Sequence, residues 1–209
     1  MDVDTIVALA TPPGIGGVAV VRLSGPSALS VARAVAPQAS EPWPARAPRL
    51  VAMASSDGGV LDRGLATYFP APASYTGEDV VEFSCHGGWL GPQLLVAACV
   101  AAGARQAEAG EFTRRAYLHG KLDLVQAEAV HDVIEARSGQ ARKAALHQLD
   151  HGLSSRITEL RGGIVHAEAL LSHHIDFPEE DDAPVGLDRV IEAVQAVEAT
   201  RKESSALHR

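Results

Sequence analysis

The chain has 209 residues, 46% of them hydrophobic and 4% aromatic, with a formal net charge of −8. That length allows one large domain or two small ones, with a largely aliphatic core. The negative charge excludes nucleic-acid binding that rests on bulk electrostatics.

The N-terminus, MDVDTIVALATPPG, is acidic with only a short apolar run, so it does not read as a secretory signal. Residues 5–10 have a β-branched start and read as a strand, broken by Thr11-Pro12-Pro13-Gly14-Ile15-Gly16-Gly17. Residues 18–23, VAVVRL, predict a second strand. Ser24-Gly25-Pro26 opens a helix to about Val35, with Pro26 at its first position, where a missing N–H does no harm. The Pro-rich residues 37–48 read as a surface loop. Residues 50–54 and 64–69 predict strands joined through Asp57-Gly58-Gly59, a hairpin signal. A loop over residues 70–79 ends in YTGED, and residues 80–85, VVEFSC, predict another strand. His86-Gly87-Gly88 then leads into a helix over residues 89–102, stopped by Gly103, and residues 104–107 form a last short strand. Strands that do not alternate strictly with helices favour an α+β fold with a mixed sheet over a doubly wound one.

Residues 110–129, GEFTRRAYLHGKLDLVQAEA, form a hinge between two textures of sequence. Residues 111–118 are good helix formers, and Gly120 sits where a left-handed C-terminal cap is wanted. Asp123 followed by Gln126 resembles a capping box that starts the next helix. Lys121 therefore lies on a short joint beside a helix N-terminus, where the helix dipole disfavours a positive charge. Its placement suits an anionic ligand better than it suits stability.

Beyond the joint the period is helical. Ala127, Val130 and Ile134 mark one face, and Leu146, Leu149, Leu153, Ile157, Leu160, Ile164, Ala167 and Leu171 recur at steps of three and four. This seam predicts a long helix packed against partners. Gly152, Gly162 and Gly163 weaken it by about 1 kcal/mol each relative to Ala, which close helix contact would offset. An acidic break, Asp176-Phe177-Pro178-Glu179-Glu180-Asp181-Asp182, precedes one more amphipathic helix over residues 187–207. The expected organisation is an α+β mixed-sheet domain over residues 1–118 and a partial helical domain over residues 119–209. Three helices with one seam each do not close a bundle on their own.

Few residues invite chemistry. TPPGIGG lacks the Gly-Lys-Ser/Thr of a phosphate loop and reads as a turn. Arg22 is a lone cation in a run otherwise fit for a buried strand, so it requires a carboxylate partner or an anionic ligand. Glu82 poses the same requirement in VVEFS, and the two could simply pair with each other. His86 has no nucleophile spaced with it. His173 and His174 near Asp176 and Glu179 match no defined metal site. Cys85 and Cys99 do not make a disulfide framework and fit core positions in a reduced, cytoplasmic compartment. No apolar stretch reaches the length of a membrane span. No residue is assigned a catalytic or metal-binding role.

Five segments, DTIVALATPPGIGG, VVRLSG, YTGEDVVEFSCHGG, GEFTRRAYLHGKLDLVQAEAV and IDFPEED, resemble in order and spacing the MnmE (TrmE) family of tRNA-modification GTPases. The resemblance implies an N-terminal domain that binds a tetrahydrofolate derivative such as 5-formyltetrahydrofolate and forms a homodimer. It also implies a helical domain into which a GTPase domain is inserted, with GTP, magnesium and potassium belonging to that full-length form. With the FAD-dependent partner MnmG, such proteins install an aminomethyl-type group on C5 of the wobble uridine of tRNA. By matching position, the family's folate contacts fall on Arg22, Glu82 and Lys121. A carboxylate such as Glu82 suits the adjacent N–H groups of a pterin ring. Arg22 and Lys121 suit a formyl oxygen or a glutamate-tail carboxylate.

The departures are equally specific. No G-x-x-x-x-G-K-[ST] and no terminal Cys-x-Gly-Lys occur in the chain, and Arg209 falls about where the GTPase insertion is expected to begin. Two other readings compete: a structural module with an internal Arg22–Glu82 pair, and a freestanding one-carbon transferase of the glycine-cleavage type. The seam-bearing helices disfavour the latter.

Overall fold

The structure is a computed structural model that describes residues 4–39, 42–150, 152–176 and 187–206. A period of two sets its sheet. In β2 (Ala19–Ser24), Ala19, Val21 and Leu23 are buried on one face, while Val20 and Arg22 alternate with them and are half-buried on the other. The same alternation holds in β5 (Val80–Cys85), where Val81, Phe83 and Cys85 join the core. With β1 (Ile6–Leu9), β3 (Arg49–Ala54), β4 (Val60–Phe69) and β6 (Arg105–Gln106), these strands form one sheet in the order β3-β4-β5-β2-β1-β6. The β1–β6 pair is parallel and the others are antiparallel, so the sheet is mixed, as expected.

Helices α1 (Ala28–Val35) and α2 (Gly91–Ala101) supply Val31, Ala32, Val35, Leu95 and Cys99 to the core face. Burial pushes the Cys99 thiol up to about 12, which suits a core side chain and not a nucleophile. On the opposite face, Ile6, Ser24 and Val80 form a buried row across β1, β2 and β5. The next row along, Ala8, Arg22, Glu82 and Thr67, is only half covered. The sheet therefore has a sealed face and a face that opens one row in.

Several boundaries differ from the sequence reading. Pro26 lies ahead of the α1 N-cap, Ser27, rather than inside the helix, because Ser27 N–H is taken by the Thr5 hydroxyl at 2.9 Å. The second hairpin strand starts at Val60, not residue 64, as the turn closes through Ser55 N–H to the Gly59 carbonyl at 2.9 Å. In the Pro-rich loop Trp43 is buried in the core, so that segment is not all surface. Gly87 approaches TPPGIGG so closely that a Cβ would lie 2.3 Å from the Gly16 carbonyl oxygen, and the two glycine turns meet in a Gly14–Gly88 bridge.

Helix α3 (Glu111–Leu118) ends as the sequence predicts. Gly120 has φ +67°, Gly120 N–H donates to the Tyr117 carbonyl at 3.0 Å, and Lys121 N–H donates to the Ala116 carbonyl at 2.8 Å. Those two bonds make a Schellman cap. The chain divides into two compact units, Met1–Leu122 and Asp123–Arg209. The second holds α4 (Leu124–Glu135), α5 (Gly139–Leu149), α6 (Gly152–Asp176) and α7 (Leu187–Ala206). Asp123 and Gln126 form the predicted capping box, with reciprocal bonds of 2.9 and 3.0 Å. The apolar seam does not run along one helix. Asp150 caps α5, leaving Leu146 and Leu149 on α5 and Ile157, Leu160, Ile164, Ala167 and Leu171 on α6. Of the predicted α4 face, Ile134 is exposed, while Gln126 and Ala129 are the buried residues. Gln126 turns inward because its amide donates to the Leu149 carbonyl at 2.7 Å. Gly163 sits close under α7, where a Cβ would lie 2.7 Å from a Val197 methyl, which is the close helix contact its presence suggested. The acidic break after Asp176 lies outside the described residues.

Candidate functional site

Strand register places Arg22 directly opposite Glu82. Arg22 Nε donates to Glu82 Oε1 at 2.8 Å, and both side chains remain about a quarter exposed, at 25% and 27%. The cation that looked misplaced in a buried run thus sits on the half-open face and has its carboxylate partner. The pair leaves much of its bonding capacity unused. Among the described residues, the Arg22 terminal nitrogens and Glu82 Oε2 have no hydrogen-bond partner. Arg22 therefore offers four further N–H donors in a fixed plane, and Glu82 offers a carboxylate oxygen beside them.

The loop over residues 70–79 leans over this row. The Arg22 guanidinium lies over the Tyr75 ring at 5.1 Å and over the Phe112 ring of α3 at 5.5 Å. Tyr75 Oη and Thr113 Oγ1 are 2.9 Å apart, which ties the loop to α3. The third predicted residue, Lys121, meets the same loop on both sides of Tyr75. Its Nζ donates to the Pro72 carbonyl at 3.2 Å, and its side chain passes close to Gly77. No bond joins Lys121 to Arg22 or Glu82 among the described residues, so the loop is what relates the three.

Beneath the loop lies a charge cluster that the sequence reading missed. Arg115, fully buried, donates to Asp4 Oδ1 at 2.7 Å, Glu111 Oε1 at 3.1 Å and Glu78 Oε1 at 3.1 Å. Glu78 Oε2 also accepts from Ser24 Oγ at 2.6 Å, and Ser24 Oγ meets Thr76 Oγ1 at 2.7 Å. Glu111 accepts from Arg105 at 2.7 Å. The Arg105 guanidinium, ahead of all else, holds the Glu111 carboxyl down at about 2, and Arg105 and Arg115 lower that of Asp4. This cluster holds Thr76 and Glu78 of the YTGED segment, so it fixes the loop that bears Tyr75. The Glu111–Arg115 spacing of four residues was its one legible signal.

Other candidates resolve as structure. His86 Nδ1 lies 2.8 Å from Asp62 Oδ1, and its backbone N–H donates to Asp62 Oδ2 at 2.7 Å, which is a loop anchor. Among the described residues no group of three or more His, Cys, Asp or Glu side chains is placed to hold a metal ion. No helix among them is long and apolar enough to cross a membrane.

A sheet bearing paired charges on its open face is compatible with many ligands. Residues 5–121 match the family model described as the GTP-binding protein TrmE N-terminus, and residues 124–208 match that of the MnmE helical domain. The chain belongs to the MnmE (TrmE) family. It is 48% identical over 181 residues to the tRNA modification GTPase MnmE of Akkermansia muciniphila, covering 86% of this chain and 40% of that protein. It is 43% identical over 202 residues to the MnmE of Marinomonas sp., covering 97% of this chain and 43% of that one. Against the MnmE of Neisseria gonorrhoeae it is 42% identical over 213 residues, 99% of this chain and 47% of the relative. The chain thus spans less than half the length of these MnmE relatives and carries the family's N-terminal and helical regions.

Proposed function

We propose that this chain is the folate-binding and dimerising portion of an MnmE-type tRNA-modification GTPase. In that reading a 5-formyltetrahydrofolate-type one-carbon donor binds on the open face of the sheet. Glu82 accepts ring N–H groups, while Arg22 and Lys121 meet the formyl oxygen or the glutamate carboxylate. The observation that carries the reading is the Arg22–Glu82 pair, held in register with four N–H donors and a carboxylate oxygen left over. The donor types fit the ligand: a planar fork for a carboxylate and an acceptor for amine-type hydrogens. Bound folate supplies the one-carbon unit, and the role of these residues is to bind and orient it.

The wider activity follows from family membership as part of the same proposal. With MnmG, an FAD-dependent partner, the full-length form modifies C5 of the wobble uridine of tRNA in the cytoplasm, and GTP, magnesium and potassium serve its GTPase domain. Self-association through the first unit accompanies it. No G-x-x-x-x-G-K-[ST] occurs in this sequence, so no saturable binding of a GTP analogue is expected at micromolar concentration.

A structural reading takes its support from the same 2.8 Å contact, in which Arg22 and Glu82 simply satisfy one another. Calorimetric titration of 5-formyltetrahydrofolate into the purified chain separates the two. Saturable binding with one site per chain supports the folate reading, and absence of heat at millimolar ligand favours the ion pair alone.

A further inference from the structure

An arginine offered to a ligand by one bond alone is poorly aimed. Arg22 is fixed by its Nε to Glu82, and its side chain otherwise carries the rotamer freedom of a long cation. Ordering such a side chain at the moment of binding subtracts from affinity. Two aromatic rings answer that difficulty here. Tyr75, from the 70–79 loop, and Phe112, from α3, both lie against the guanidinium, at 5.1 and 5.5 Å. Neither ring is placed by chance. Tyr75 is tied to Thr113, the neighbour of Phe112, at 2.9 Å, and the segment after Tyr75 is pinned through Thr76 and Glu78 to Ser24 and Arg115. The rings meet the guanidinium while its terminal nitrogens keep no protein partner among the described residues.

We propose that Tyr75 and Phe112 are positioning residues of the ligand site: they hold the Arg22 guanidinium so that its terminal N–H edge is presented to an anionic or carbonyl oxygen of the ligand. The inference rests on the reading that Arg22 and Glu82 bind a folate. The aromatic contact suits Arg, whose planar guanidinium lies over ring faces more often than a compact ammonium does. The rings act through Arg22 and not on the ligand, and that distinction is measurable.

The test uses the full chain with Tyr75→Leu, Phe112→Leu, Tyr75→Phe, Arg22→Gln and the Tyr75→Leu/Arg22→Gln double variant. 5-Formyltetrahydrofolate is titrated into each, and nitrogen-15 relaxation of the Arg22 Nε–H is recorded without ligand. Each leucine variant weakens binding about three- to fivefold and raises the mobility of the Arg22 Nε–H. Tyr75→Phe binds within about twofold of the unsubstituted chain, because the ring is kept. In the Arg22→Gln background Tyr75→Leu adds no further loss, as expected of two groups that act as one. An equal loss in both backgrounds overturns the inference, since the ring would then touch the ligand itself. Unchanged Arg22 relaxation in both leucine variants overturns it as well, whatever the titrations give. If the unsubstituted chain binds no folate, the folate reading falls and takes the ligand role of the rings with it.

Discussion

Within Met1–Leu122 the fully buried side chains include Phe83, Ile6, Leu23, Met53 and Leu95, together with the charges of Arg115 and Glu111. Within Asp123–Arg209 the buried apolar side chains among the described residues are Ala129, Ala145, Ala167 and Val190. Several large side chains of that helical unit, Ile134, Ile157, Ile164, Leu171 and Ile175 among them, are exposed, while Leu146, Leu149 and Leu160 are half-buried. One unit closes a core around a sheet and carries a half-open charged row on its other face. The other joins helices through small residues and local caps, and several of its apolar side chains among the described residues are exposed. A binding site belongs on the first kind of scaffold, because the geometry of a pair such as Arg22–Glu82 is only as fixed as the strands beneath it.

The comparison breaks most severely at Arg115. Arg115→Met removes the common partner of Asp4, Glu78 and Glu111; Asp4 and Glu111 keep Arg105, but the largely buried Glu78 carboxylate loses its cation, at a cost of about 3 kcal/mol. Urea denaturation followed by Trp fluorescence should show that loss, and a change below about 1 kcal/mol would mean that the cluster is solvated and not structural.

Acid probes the same cluster more gradually. The Glu111 carboxyl is lowered from an ordinary 4.5 to about 2. A depressed carboxyl contributes stability that is full above its unfolded value and is lost as the pH falls through its folded value. The midpoint of urea unfolding of the first unit should therefore decline between about pH 4.5 and 2, with Asp4 acting in the same direction. A flat profile over that window would contradict the assignment of the ion cluster.

Smaller effects sharpen the picture of the helical unit. Asp123→Ala deletes the capping box and should lower helical stability by about 1 kcal/mol. Gly162→Ala meets no atom within 4 Å and should stabilise α6 by up to about 1 kcal/mol. In Gly163→Ala the added methyl collides with Val197, so the same propensity gain should be cancelled or reversed. Circular-dichroism melts of the two glycine variants read this contrast, and equal stabilisation by both would show that α6 and α7 do not pack at Gly163.

How legible was this in the sequence? Short apolar and β-branched runs bounded by Gly and Pro located every strand of the sheet, because run composition and turn chemistry are local, although the start of β4 was placed at residue 64 and not Val60. The caps at Gly120 and Asp123 were readable for the same reason. The seam beginning at Leu146 misled, since a period of three and four continues across a helix break as easily as through one helix, and Asp150 gives little warning. Arg22, Glu82 and Lys121 stood out because each charge conflicts with its local pattern. Tyr75, Phe112 and Arg115 did not, because an aromatic in a loop and one arginine of a pair conflict with nothing locally. Their roles arise from partners 53, 90 and 111 residues away in the chain, at Arg22 for the two rings and Asp4 for Arg115.

The central claim is that the Arg22–Glu82 pair binds a ligand and is not only an internal contact. Paired melting curves and 5-formyltetrahydrofolate titrations on the unsubstituted chain, Glu82→Ala and Lys121→Ala test it most directly. Glu82→Ala should weaken binding by about 2–5 kcal/mol, and the loss for Lys121→Ala, an exposed contact at the loop, should be nearer ~1 kcal/mol. The partly exposed pair should contribute no more than about 1 kcal/mol to stability, so the Glu82→Ala melting temperature should move little. A sharp fall in the melting temperature of Glu82→Ala with folate binding unchanged, or a greater binding loss for Lys121→Ala, would contradict the account.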